Sequence, residues 1–159
     1  MEEDILISGG ISGAITDIES EEAVAHAYKR YGMIRNSHTD IDKISINTGF
    51  PPEKILAIKN YLFMDIHKLE NGYHRFDPDF AIGESWWRLA FDPDNIKPHD
   101  ITLLKHEFYE MQLIQMGYEQ QEAHNLTEAK GYDYQTESSN YYKTLEEKEK
   151  DSYFNEEER

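Results

Sequence analysis

The longest periodic stretch of the chain, Ile101 to Met116 closed by Gly117, constrains its fold most. At the α-helical period Thr102, Lys105, Tyr109, Gln112 and Met116 gather on one narrow wet arc. Ile101, Leu103, Leu104, Phe108, Met111, Leu113 and Ile114 occupy the rest of the circumference. A helix apolar over most of its surface is packed on most sides, so this segment reads as a core helix. No convincing β pattern appears elsewhere, and 159 residues suit one domain. The expectation is an all-α fold, a compact helical bundle.

The flanking segments divide by composition. Ile5 to Asp17 holds three glycines and two serines among short aliphatics, so residues 1–19 read as a flexible N-terminal arm or linker. Ser20 followed by Glu21 and Glu22 predicts a helix start, with Gly32 as its stop. Asp40 is the expected cap of a helix carrying Ile41, Ile44 and Ile46, and Thr48-Gly49-Phe50 ends it. Pro51 and Pro52 then open a second helix bearing Ile55, Leu56, Ile58, Leu62 and Phe63, which is helix-turn-helix spacing. Phe76-Asp77-Pro78-Asp79 recurs as Phe91-Asp92-Pro93-Asp94, and each Asp-Pro pair predicts a helix start. Neither copy makes a calcium loop, because the second lacks the required glycine and carries Ile96 where an oxygen ligand belongs. A further helix is expected from Tyr118 or Glu119 to Lys130, so the helical domain spans residues 20–130. Residues 131–159 hold nine acids against four bases and few aliphatics, which predicts a largely disordered acidic tail with one transient helix near Tyr141–Lys150.

Composition then removes whole classes of chemistry. The chain contains no cysteine, so disulfides, thiolate catalysis, Cys-based zinc sites and iron–sulfur clusters are excluded. Acidic residues number 32 against 16 Lys and Arg, giving a net charge of −16, which repels nucleic acid and anionic lipid. A DNA-reading helix would need to be basic, whereas Lys54 and Lys59 are the only cations of the second helix of the hairpin. No apolar run approaches the roughly 20 residues a bilayer requires. The start Met1-Glu2-Glu3-Asp4 lacks the basic region of a signal peptide, so a cytoplasmic location is expected.

One cluster could carry chemistry. His106, Glu107 and Glu110 fall among Leu103, Leu113 and Ile114, on the face of the long helix that otherwise reads as core. Ionised groups buried without partners cost several kcal/mol each, so these three must be paired, protonated or bound to a metal. His106 and Glu110 stand one helical turn apart, the spacing at which a helix offers two ligands to one ion. Glu107 occupies the place of the general base in H-E-x-x-H peptidases, here with Glu110 in place of the second histidine. His124 on the next helix is the candidate third ligand, although counting from Gly117 puts it about one turn out of level with His106. The structural alternative is a buried His106–Glu110 hydrogen bond with Glu107 held by Arg88, Lys105 or Arg75. His67, His74, Asp77 and Arg88 are further candidates for the site, and Arg88 is expected with Glu107 as a catalytic residue.

Four segments together resemble a module at the C-terminus of head-morphogenesis (minor head) proteins of Gram-positive phages and of some toxin-like proteins of Firmicutes. They are Ser8-Gly9-Gly10-Ile11-Ser12-Gly13-Ala14; Asp40-x-x-Lys43-Ile44 with Thr48-Gly49-Phe50; Phe76-Asp77-Pro78-Asp79 with Trp86-x-Arg88-Leu89; and Asp100-x-x-Leu103-Leu104-Lys105-His106-Glu107-x-x-Glu110 with Ala123-His124. The similarity covers about residues 5–135, and the acidic segment extends past it. It implies a phage- or mobile-element-associated helical effector-like protein, without an activity to carry over. Two functions follow as expectations. One is a metal-dependent hydrolase, with a divalent ion such as zinc on His106, Glu110 and His124 and with Glu107 as base. The other is a non-enzymatic inhibitor or assembly factor that meets a basic protein partner through its acidic surface.

Overall fold

A computed structural model describes residues 15–157; the part of the expected N-terminal arm before Ile15 lies outside them. Among the described residues the chain forms seven α-helices and one short hairpin, which is the expected all-α architecture. Helix α1 (Glu21–Asn36) is capped by Ser20, whose hydroxyl accepts from the Ala23 amide at 3.1 Å. It continues through Gly32 to Asn36, because Ile34 is fully buried and that burial outweighs the roughly 1 kcal/mol that a helical glycine costs.

Helices α2 (Asp40–Thr48) and α3 (Pro52–Lys59) form the anticipated hairpin, turning at Gly49 with φ +83° and restarting with Pro52 in the first turn. Asp40 does not cap α2. It lies inside the first turn, where Lys59 Nζ approaches its Oδ2 at 2.9 Å and Trp86 Nε1 donates to the same oxygen at 3.0 Å. The end of α3 widens into a single π turn (Asn60–Met64) before the chain leaves the helix.

A two-stranded hairpin follows, β1 (His67–Leu69) pairing antiparallel with β2 (Gly72–His74) in the register His67 to His74. Three-residue strands are too short to show alternation, so Asn71-Gly72 was the only available signal. Helix α4 (Phe80–Phe91) is capped by Asp79 rather than Asp77, its Oδ1 accepting from the Ile82 amide at 2.9 Å. The second Asp-Pro copy opens only a 3₁₀ turn (Pro93–Asn95).

Helix α5 (Pro98–Gln115) is the expected core helix and packs against α3, α4, α6 (Gln120–Ala129) and α7 (Tyr134–Glu157). The core gathers Ile34, Ile44, Ile55, Ile58, Phe63, Trp86, Leu89, Leu103 and Leu104, all at most 1% exposed. Helix α7 corrects the reading of residues 131–159 as a disordered tail: it is helical from Tyr134 to Glu157. Tyr134, Ser138 and Tyr142, one turn apart along a single face, are buried, and Tyr134 shares a 2.8 Å hydrogen bond with Ser85. Among the described residues no helix is long and apolar enough to cross a membrane.

Candidate functional site

The periodicity of α5 turns His106, Glu107 and Glu110 into the interior, where they are 3%, 6% and 3% exposed. His106 is fixed from behind. Its Nδ1 lies 2.6 Å from the Tyr132 carbonyl oxygen, which can only accept, so Nδ1 carries the hydrogen and Nε2 presents its lone pair. That Nε2 faces Glu110 Oε1 across 3.9 Å, too far for a hydrogen bond.

Helix α6 supplies the third group. Gly117, with φ +104°, reverses the chain, and Glu110 and His124 stand seven residues before and after it. His124 is therefore level with Glu110 rather than with His106, and its Nδ1 approaches Glu110 Oε1 at 3.1 Å. The turn of offset read from the sequence is real, and the i,i+4 pair absorbs it. The two imidazoles lie with ring centroids 5.1 Å apart. One donor atom from each of His106, Glu110 and His124 falls within 4.8 Å of the other two, so this group could hold a metal ion.

A zinc-class ion held at about 2.1 Å by tetrahedral nitrogen and oxygen donors sets them about 3.4 Å apart. The observed 3.1 and 3.9 Å bracket that spacing. The donor chemistry also fits, being two neutral-capable imidazoles and one carboxylate.

The surroundings decide the charges. Glu110 Oε2 accepts from the Tyr61 hydroxyl at 2.9 Å, and Gln120 Oε1 lies 3.1 Å from the same hydroxyl. Burial pushes the Glu110 carboxyl up, but the facing imidazoles and the Tyr61 hydroxyl outweigh burial and hold it well below the usual carboxylate range. Glu107 goes the other way: burial and then the neighbouring Glu110 charge raise its carboxyl well above that range. The hydrogen bond to Glu110 raises the His124 imidazole. Its Nε2 meets Glu128 Oε1 at 2.7 Å on the outer side, where both side chains are about one-third exposed.

Arg88 is not brought to this cluster. It grips Asp100 through Nε and Nη2, both at 2.8 Å, at the N-terminal end of α5. Asp100 precedes His106 by six residues, about 9 Å along the helix axis. Nor does Lys105 or Arg75 pair with Glu107: Lys105 is exposed, and Arg75 donates to the Met64 carbonyl. His67 and His74 belong to the hairpin, the first bonding the Tyr61 carbonyl at 2.7 Å and the second Asn71 at 2.6 Å. Asp77 is an exposed residue ahead of α4.

Three groups at the site escaped the sequence. Glu128 follows His124 at the same i,i+4 spacing that exposed the His106–Glu110 pair, so that rule would have found it. Tyr61 arrives through the π turn from 49 residues away and left no local trace. The Tyr132 carbonyl is backbone, which no side-chain pattern reveals.

Compared with known proteins, the chain matches no family model, no curated protein and no solved structure.

Proposed function

We propose that this protein is a metal-dependent hydrolase of the two-histidine, one-carboxylate kind, with a zinc-class ion held by His106 Nε2, Glu110 Oε1 and His124 Nδ1. One observation carries the reading. Among the described residues five carboxylates are buried, and three have a permanent cation: Lys59 beside Asp40, Arg30 beside Glu84 and Arg88 beside Asp100. The two at the site, Glu107 and Glu110, have none. Buried negative charge without a fixed counter-charge calls for an exchangeable one, either a proton or a metal ion. When bound, such an ion supplies Lewis-acid polarisation of a substrate oxygen. His106 presents its Nε2 lone pair to the site, and His124 Nδ1 donates to Glu110 and would give up that hydrogen when the ion binds. Tyr61 holds the second oxygen of Glu110, and the buried Glu107, next to His106 in sequence, is the acid–base group of this reading. His124, one-third exposed, is the edge at which a substrate meets the site. The net charge of −16 favours a neutral or basic substrate, such as a peptide, over a phosphodiester. The resemblance to the phage-associated module agrees with an effector role.

The test is metal analysis of purified protein followed by zinc titration. Stoichiometric zinc that His106→Ala and His124→Ala both abolish supports the reading. A wild-type protein that takes up no zinc, before or after its addition, removes it. A second reading is favoured by the excess of acids itself: a non-enzymatic binder of a basic protein. Its complex would dissociate in high salt, and a partner retained through such a wash would count against it.

A further inference from the structure

The two imidazoles of the cluster are oriented by different kinds of partner. His106 leans on the Tyr132 carbonyl at 2.6 Å, a backbone group that no substitution removes. His124 leans on a side chain, Glu128, at 2.7 Å. We propose that Glu128 is a positioning residue for the metal site: by accepting the Nε2 hydrogen of His124 it fixes the ring so that Nδ1 faces Glu110 and the ion. The proposal rests on the metal-binding reading above and adds to it a residue that is not itself a ligand.

The chemistry requires such a partner. An imidazole that binds metal through one nitrogen keeps a hydrogen on the other, and an acceptor there sets the tautomer, the ring orientation and the basicity of the ligating atom. His124 needs this more than His106 does. Its side chain is 33% exposed against 4%, so water competes for its outer edge and the ring has room to turn. The backbone beneath it is firm. Ala123 and Thr127 are fully buried on either side, and the Thr127 hydroxyl bonds back to the Ala123 carbonyl at 2.7 Å. Loss of Glu128 therefore frees the ring and leaves the helix in place.

The experiment measures zinc affinity of the full chain by competition with a chromophoric chelator. Alongside it, the visible spectrum of the cobalt(II)-loaded protein reports coordination geometry. Glu128→Ala is expected to bind zinc about 10- to 100-fold more weakly than wild type and to change the cobalt bands. Glu128→Gln keeps an oxygen acceptor and should recover part of the loss. Glu122→Ala, which removes an exposed acid from the same helix, should leave both readouts at wild-type values. Glu128→Ala with wild-type affinity and an unchanged spectrum overturns the proposal alone. So does an equal loss in Glu122→Ala, which would mean that only overall charge matters. Wild-type protein that binds neither metal defeats the metal reading and this inference together, so the two failures are distinguishable.

Discussion

Helix α5 carries two buried acidic clusters that were solved in opposite ways. Near its start Asp100 is fully enclosed, and Arg88 grips both of its oxygens at 2.8 Å. Ten residues later, about 15 Å along the axis, Glu110 is almost as deeply enclosed, but among the described residues it meets imidazoles and the Tyr61 hydroxyl rather than a fixed cation. Arg88 is a cation at every accessible pH, so the first cluster is permanently neutralised and has nothing to exchange. The second has donors that change state: His124 can hold a proton or give it up, and the lone pair of His106 Nε2 points at an acid it does not bond. A bundle of this size closes most of its buried charge with arginine and lysine. Where it does not, the chain has left room for something that comes and goes.

The sharpest way to break this contrast is to remove the fixed counter-charge. Asp100→Ala strands the mostly buried Arg88 and deprives the Lys97 amide of the oxygen it donates to at 2.8 Å. The expected loss is about 3–5 kcal/mol in urea unfolding. Added zinc should not restore it, and a loss below about 1 kcal/mol would show that the pair is not the structural clamp described. The complementary measurement is thermal unfolding with and without zinc. At a hundredfold excess over its dissociation constant zinc should stabilise the wild type by about 2.7 kcal/mol. It should do nothing for His106→Ala. Equal zinc shifts in the two proteins would place the ion elsewhere.

The same contrast explains how far the sequence could be read. The inward trio of α5 was legible because one period assigns every side chain of a regular helix to a face. The approach of His124 was legible as well, since seven residues either side of Gly117 bring it opposite Glu110. Arg88 was visible as a residue but not as a partner, because pairing with Asp100 depends on how α4 crosses α5. Helix α7 was misread for a related reason. Its charges were counted over the whole segment, whereas Tyr134, Ser138 and Tyr142 bury a single stripe and leave the acids outside. Tyr61 depends on one π turn and on packing between distant elements, and neither leaves a local pattern.

Two smaller effects sharpen the comparison. Tyr61→Phe removes the hydroxyl that holds Glu110 Oε2 at 2.9 Å. Leaving that oxygen without its donor should cost about 1–3 kcal/mol in urea unfolding of the metal-free protein. An unchanged midpoint would mean that water replaces the hydroxyl freely and that the inner wall of the site is open.

The smallest effect is a pH slope that vanishes at neutral pH; it concerns Glu84, whose oxygen lies 2.6 Å from His26 and 3.0 Å from Arg30. Burial lifts its carboxyl, but the His26 hydrogen bond and then the Arg30 charge outweigh burial and leave it below its ordinary value of 4.5. The unfolded chain therefore binds this proton more readily than the folded one. The stabilisation is complete above the unfolded value and drains away as pH falls through the lower folded value. Urea midpoints taken from pH 7 down to pH 3 should fall in the acid part of that range for the wild type, and less steeply for Glu84→Gln. Because the cation at Glu84 is part of the chain, the difference in slope between the two proteins should be the same with chelator as with zinc. A zinc-dependent difference would join the two regions energetically and remove the distinction between a cluster closed by arginine and one completed by an exchangeable ion.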